Sequence, residues 1–121
     1  MTKAIADVQK AIELNPNNAH AHEALAWMLA TCPEENFRDG ERAVDLAVRA
    51  LELTNGAEDK YEYLNTLAAA YAEAGSFEDA IRTQESALTL LREKGKEKEI
   101  LSYTERLQFY KMHRPWRDKK Q

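Results

Sequence analysis

Two neighbouring histidines, His20 and His22, and the single cysteine, Cys32, are of residue types that bind metals or act as nucleophiles. Side chains two residues apart on a helix point about 200° away from each other, whereas two histidines that share a metal ion on a helix stand at positions i and i+4. We therefore expect both histidines at the solvated surface. Cys32 has no set of zinc ligands and no nucleophile constellation around it, and a lone cysteine forms no intramolecular disulfide.

Acid–base chemistry has no better support in the sequence. The paired acids Glu34 and Glu35 fall in a predicted turn without a pocket, and the chain has no glycine-rich phosphate-binding loop. The sequence therefore predicts no catalytic residue, no metal site and no cofactor, and we expect a protein that is not an enzyme.

An internal repeat predicts the helices that carry the remaining polar residues. Three segments, residues 4–14, 43–53 and 80–90, read alanine, aliphatic residue, five residues, alanine, aliphatic residue, any residue, leucine. A second matching pair, residues 24–30 and 66–72, precedes the later two copies. Intervals between matching alanines give a period of 34 residues, lengthened by five between Ala26 and Ala43 and by three between Ala50 and Ala68. Repeats of this length indicate stacked helix pairs.

A 34-residue helix–turn–helix period with small residues at fixed positions resembles the tetratricopeptide repeat (TPR) family. The chain is similar to a subset of bacterial TPR proteins with a lengthened turn inside the helical hairpin. The motif positions are filled by Leu64, Leu67, Ala68, Tyr71, Ala80 and Ala87, by Leu25, Ala26, Leu29, Ala43 and Ala50, and by Ala4, Ala11 and Pro16. The aromatic residue usual in the second helix is replaced by Val8, Ala47 and Gln84.

The resemblance implies an all-α fold, a right-handed TPR-type superhelix of antiparallel helix pairs. About six helices are predicted, at residues 3–14, 18–31, 39–54, 59–74, 77–94 and 96–112. One TPR domain would span residues 1–112, with a half repeat at 3–16, repeats at 19–55 and 61–94, and a capping helix at 96–112, followed by a basic tail at 113–121. The expected N-caps are Asn17 or Asn18, Asp39 and Ser76.

Composition agrees with one compact helical domain, because 44% of the 121 residues are apolar and only four are glycine and three proline. No apolar run approaches the roughly 18 residues of a membrane span. Asp7 and Lys10 interrupt any apolar stretch that could serve as a signal peptide. We therefore expect a cytoplasmic protein that does not enter membranes.

The resemblance implies a concave binding face lined by the first helix of each pair. Steps of three or four residues along these helices select the ligand-facing candidates His20, Glu23, Trp27, Thr31, Glu62, Asn65, Ala69 and Glu73. TPR domains that clamp the carboxylate end of chaperone tails present Lys and Arg beside Asn, and of that set these helices carry only Asn65. We therefore expect a basic or apolar protein segment as ligand, and no carboxylate-clamp chaperone tail.

Two positions are open for Trp27. Two residues after Leu25, it points away from the core of its own hairpin and into the groove. Alternatively, the insertion after Ala30 folds back and buries the indole with Pro33 and Phe37, because tryptophan is seldom left bare.

Charge is distributed unevenly along the chain. Residues 111–121 carry five Lys or Arg and one Asp, a net charge of +4, so the remainder carries −8 to give the total of −4. This tail is either solvated, or docks through Arg114, Pro115, Trp116 and Arg117 on the last helices or on the acidic concave face. Nucleic-acid binding is not expected, because the acidic body repels phosphates.

Two function classes remain. The first is a non-catalytic scaffold that binds a peptide or protein segment on the concave face. The second is a structural module that self-associates as a homodimer, through the capping helix or through the incomplete first repeat. There Ile5, Val8 and Ile12 are expected to lack a covering helix on one side.

Overall fold

The computed structural model describes residues 2–54 and 59–118, which form six α-helices and one short 3₁₀-helix. The α-helices are α1 (Thr2–Leu14), α2 (Ala19–Thr31), α3 (Gly40–Thr54), α4 (Lys60–Glu73), α5 (Phe77–Lys94) and α6 (Glu97–Lys111). The predicted all-α class is confirmed, and each predicted helix end is within one residue of the observed one. The end of the predicted repeat at 19–55 and residues 119–121 of the predicted tail lie outside the described residues.

Each helix packs against the next along the chain, and α2 also packs against α4. Helices α2, α4 and α6 therefore contribute side chains to one surface, which we call the inner face. It is lined by Glu23, Trp27, Glu62, Asn65, Thr66, Tyr103 and Arg106.

The alanines of the repeat allow the helices to approach closely. Packed helix axes lie about 8–10 Å apart, so small residues are needed where two backbones are nearest. Six alanines of the repeat motif have 0% exposure: Ala26, Ala43, Ala50, Ala68, Ala80 and Ala87. Their predicted place in the core is confirmed. In α1, which packs chiefly on α2, Ala4 and Ala11 are only half-buried.

The apolar residues of α1 are partly covered. Ile5, Val8 and Ile12 are half-buried and pack against the core cluster that contains Leu25 and Leu29. Leu14, at the end of the helix, is 76% exposed. The three aliphatic residues proposed for self-association thus already have partners within the chain.

At two of the three helices with a predicted N-cap, the side chain of the predicted residue caps the helix. Asn18 Oδ1 accepts a hydrogen bond from the Ala21 N–H at 3.1 Å, and Asp39 Oδ1 accepts one from the Arg42 N–H at 3.2 Å. The prediction is wrong for Ser76, whose side chain makes no capping bond. Its ψ of 68° lies outside the extended region that an N-cap usually adopts.

Gly40, the first residue of α3, marks a close approach between α3 and the end of α4. A Cβ atom at this position would lie 2.6 Å from the backbone nitrogen of Ala74 and 2.8 Å from the carbonyl carbon of Glu73. Backbone atoms in a close-packed interior cannot move aside as the end of a flexible side chain can. Gly40 therefore helps to fix the end of α4, which carries Glu73.

We expect Gly40→Ala to lower the free energy of unfolding. Overpacking costs about 1–3 kcal/mol, and the better helix propensity of alanine returns at most about 1 kcal/mol. Urea unfolding should therefore show a net loss of about 1–2 kcal/mol, whereas Glu41→Ala at the exposed neighbouring position should stay within about 0.5 kcal/mol. A Gly40→Ala protein as stable as the wild type would contradict the close approach.

Candidate functional site

The lengthened turn between α2 and α3 provides hydrogen-bond donors for some of the carbonyl groups at the end of α2. The last four carbonyl groups of a helix have no partner within the helix. The Cys32 N–H donates to the Met28 carbonyl at 3.1 Å, and the Asp39 N–H donates to the Leu29 carbonyl at 2.9 Å. The turn, which includes the 3₁₀-helix Glu35–Phe37, therefore satisfies two of the four groups.

The other two carbonyl groups of α2 meet the C-terminal segment of the chain. The Asp118 N–H donates to the Thr31 carbonyl at 2.8 Å, and Arg117 Nη1 lies 3.5 Å from the Ala30 carbonyl oxygen. The negative end of the helix dipole adds to the attraction for the guanidinium group. Residues 115–118, which we call the docked segment, thus lie against the end of α2.

Side chains of the docked segment bind α2 and α4. The Trp27 Nε1–H donates to Asp118 Oδ2 at 2.9 Å. Arg117 Nη1 lies 2.7 Å from Glu73 Oε1, and the side chain of Glu73 is 17% exposed and that of Arg117 33% exposed. The predicted basic tail is therefore docked, not solvated, as far as Asp118.

The lengthened turn also positions the carboxylate that receives Arg117. Arg38 Nη1 donates to the Cys32 carbonyl at 2.8 Å, and Arg38 Nε lies 3.4 Å from Glu73 Oε2. Glu73 thus stands between two guanidinium groups. Arg38, from the insertion, holds the carboxylate on one side while the docked segment binds it on the other.

Arg106 of α6 lies among three aromatic rings. Its Cζ atom is 5.3 Å from the ring centroids of Trp27 and Trp116 and 5.4 Å from that of Tyr103. A guanidinium group is planar and stacks on aromatic faces, where the ring quadrupole attracts its charge. Trp116 also meets Phe109 edge-on, with ring centroids 4.9 Å apart. Arg106 therefore joins α2, α6 and the docked segment.

A buried polar network holds Arg106 in place. Asn65 Oδ1 accepts hydrogen bonds from Arg106 Nη1 at 3.2 Å and from Gln84 Nε2 at 3.1 Å. Gln84 is 0% exposed and also donates to the Tyr103 carbonyl at 3.0 Å, so both of its amide hydrogens are used. Gln84 therefore links α4, α5 and α6.

An open pocket of about 280 Å³ lies on the inner face, and its lining includes the carboxylates of Glu23 and Glu62, the rings of Trp27 and Tyr103, and Arg106. Burial raises the pKa of Glu23 above its ordinary value. A hydrogen bond with Thr66 opposes this shift, and the negative charge of Glu62 adds to it. A cation that enters the pocket would therefore relieve an unfavourable buried charge.

The structure brings together four of the eight predicted ligand-facing residues, because Glu23, Trp27, Glu62 and Asn65 line this pocket. Glu73 lies at the end of α4 beside the docked segment. His20 is exposed.

Two of the eight side chains predicted to face a ligand, those of Ala69 and Thr31, are buried instead. Ala69 is 1% exposed and belongs to the core, because neighbouring helices cover that side of α4. Thr31 is also 1% exposed, and its Oγ1–H donates to the Trp27 carbonyl at 2.7 Å. Only the carbonyl group of Thr31 meets the docked segment. His22, expected at the surface, is buried at 8% exposure, and its Nε2–H donates to the Pro16 carbonyl at 2.9 Å.

Trp27 lies on the inner face, which is one of the two predicted positions. Its ring is half-buried, and its polar partners are Arg106 and Asp118. Neither alternative anticipates that these two residues cover the indole.

Sequence reasoning missed Arg106, Arg38 and Asp118. Arg106 stands three residues after Tyr103 and four before Tyr110, on the apolar side of α6, and a cation at that spacing indicates stacking on a ring. Arg38 and Asp118 give no such signal, because their contacts depend on how two non-helical segments meet.

No protein-family model, curated protein or solved structure matches this chain. Within residues 2–54 and 59–118, no helix is long and apolar enough to cross a membrane. The same residues contain no group of three or more His, Cys, Asp or Glu side chains placed to hold a metal ion.

We expect Arg106→Lys and Arg106→Ala to loosen the contact between α6, Trp27 and the docked segment. A desolvated cation–aromatic contact is worth about 2 kcal/mol, so alanine should lower the free energy of unfolding by about that amount. Lysine should lose about half, since it keeps the charge but not the planar stack. Both tryptophans of the chain contact Arg106, so their fluorescence emission should shift to the red.

The matched control is Glu105→Ala, an exposed neighbour on α6, which should change neither quantity. Wild-type stability together with wild-type emission in Arg106→Lys would show that stacking is not what holds the rings together.

We expect Glu23→Gln to stabilise the protein at neutral pH. The pKa of Glu23 is higher in the folded chain than its ordinary value of 4.5, so the folded state loses this part of its stability as pH rises through the raised pKa. Glutamine keeps a partner for Thr66 without the charge. Melting temperatures from about pH 4 to about pH 8 should show an advantage over the wild type that grows with pH and then levels off. The control is Glu13→Gln, exposed on α1, and a Glu23→Gln advantage that is constant with pH would contradict the assignment.

Proposed function

We propose that this chain is a non-catalytic interaction module of TPR type, in which the inner face binds an extended segment of a protein partner. The 34-residue repeat supports the right-handed stack of helix pairs, and so does the packing of α2 against both α3 and α4. In this arrangement α2 and α4 are the first helices of the two complete repeats, and α6 is the cap.

The observation that carries the proposal is the docked segment itself. Trp116, Arg117 and Asp118, which are not helical, contact α2, α4 and α6, and their partners include Trp27 and Arg106 of the inner face. They use a backbone hydrogen bond at the end of α2, a side-chain hydrogen bond to Trp27, an ion pair with Glu73 and ring contacts with Arg106 and Phe109. A face that holds such a segment of its own chain has the shape and the polar groups to hold an extended segment of another protein.

The open part of the inner face indicates the chemistry of that partner. Glu23 and Glu62 favour a cationic side chain, and Trp27 and Tyr103 favour an apolar or aromatic one. Arg106 does stand beside Asn65, but its guanidinium group is stacked among three rings and bonded to Asn65. A basic or apolar segment therefore fits this face better than a free C-terminal carboxylate.

A displayed library of random peptides, selected on the immobilised full chain, tests the proposal. We expect enrichment of peptides with Lys or Arg next to an aromatic residue. Glu62→Arg, which reverses an exposed charge in the pocket, should weaken their binding at least about tenfold. The matched control Glu85→Arg reverses an exposed charge on α5 and should leave binding unchanged.

Enrichment no greater than on an unrelated helical protein would contradict the proposal. Equal losses in Glu62→Arg and Glu85→Arg would contradict it as well, because binding would then follow total charge and not the inner face.

Self-association through α1 has less support. Ile5, Val8 and Ile12 pack on the first core cluster, which leaves less free apolar surface there than the sequence alone predicts.

A further inference from the structure

The turn after α6 directs the docked segment toward the inner face. His113 has a φ of 56°, in the left-handed region that favours glycine. Its N–H donates to the Tyr110 carbonyl at 3.0 Å, and the Arg114 N–H donates to the Phe109 carbonyl at 2.9 Å. This pair of bonds is a Schellman motif. The imidazole stacks on Phe77 with ring centroids 5.0 Å apart, which offers a reason for histidine here.

The docked segment presents three different groups in order along the chain. The ring of Trp116 meets Arg106 and Phe109, and the guanidinium group of Arg117 meets Glu73.

The carboxylate of Asp118 accepts from the Trp27 indole, and the backbone N–H of Asp118 meets the end of α2. Each receiving group belongs to a helix of the inner face, so a segment of another protein with the same groups in the same order would find the same partners.

We infer that the docked segment is an internal ligand, and that the inner face recognises partner segments presenting an aromatic ring, a guanidinium group and a carboxylate in that order. The inference rests on the proposed function, because it names the ligand class of the same face. A partner of this kind takes the place of the docked segment, whose receiving groups are occupied until that happens.

Tethering makes the internal ligand an effective competitor. Only residues 112–114 separate α6 from the docked segment, and a ligand on so short a tether has an effective concentration on the order of mM or more. A partner must displace a ligand present at that concentration. Its apparent affinity for the intact chain is therefore lower than for a chain whose face is open.

His113→Pro opens the face without changing a side chain of the docked segment or of its receiving groups. Proline fixes φ near about −65° and has no N–H to donate to Tyr110, so the turn cannot form. The matched control is His113→Asn, because asparagine tolerates the left-handed conformation. A second opening variant, Arg117→Glu, leaves the turn intact and places a negative charge against Glu73.

The probe is a fluorescent synthetic peptide with the sequence of residues 113–121, HRPWRDKKQ, added to the full-length variants and followed by anisotropy. We expect it to bind His113→Pro and Arg117→Glu at least about tenfold more tightly than His113→Asn or the wild type. Adding Glu73→Gln to His113→Pro should abolish the gain, and a peptide of the same composition in scrambled order should not bind.

Equal affinity of the probe for His113→Pro and His113→Asn overturns the inference, as does equal binding of the scrambled peptide or failure to bind either opened variant. The library peptides, tested on the same variants, separate this result from failure of the proposed function. If the library peptides still bind and their binding still depends on Glu62, the proposed binding function holds and only the inferred ligand class is wrong. If they also fail, the proposed function fails too.

Discussion

The last four carbonyl groups of a helix have no hydrogen-bond partners within the helix. At the end of α2 these partners come from two other parts of the chain, and the structure of the inner face depends on how the two parts meet there. The lengthened turn provides two and the C-terminal segment meets the other two. Two segments that are far apart in sequence therefore meet at one point. Glu73 lies where the two segments meet, because it forms one ion pair with Arg38 of the turn and another with Arg117 of the docked segment.

Arg106 extends this arrangement across the inner face. Its charge cannot leave the rings without also breaking its hydrogen bond to Asn65, and Asn65 is in turn held by Gln84. Displacing any one of these three side chains therefore breaks a hydrogen bond that another of them makes. Gln84, Asn65 and the stacked Arg106 are thus parts of one hydrogen-bonded feature.

The sequence predicts the helices far better than the site. Ala26, Ala43, Ala68 and Ala80 repeat at intervals that only close helix packing explains, so helix ends and core follow from local pattern. Ala69 shows the limit, because spacing along one helix does not say how many neighbours cover it. Contacts such as that of Trp27 with Asp118, 91 residues apart, depend on the path of non-helical chain, which has no periodicity to interpret.

The C-terminal segment binds the inner face through the carboxylate at the end of α4. A double-mutant cycle with Glu73→Gln and Arg117→Gln, read out as the free energy of unfolding in urea at low salt, measures this interaction. We expect a favourable coupling energy of about 0.5–1 kcal/mol that falls as salt is added, as expected for a partly exposed pair. A coupling energy of zero, with the two single losses simply additive, would contradict it.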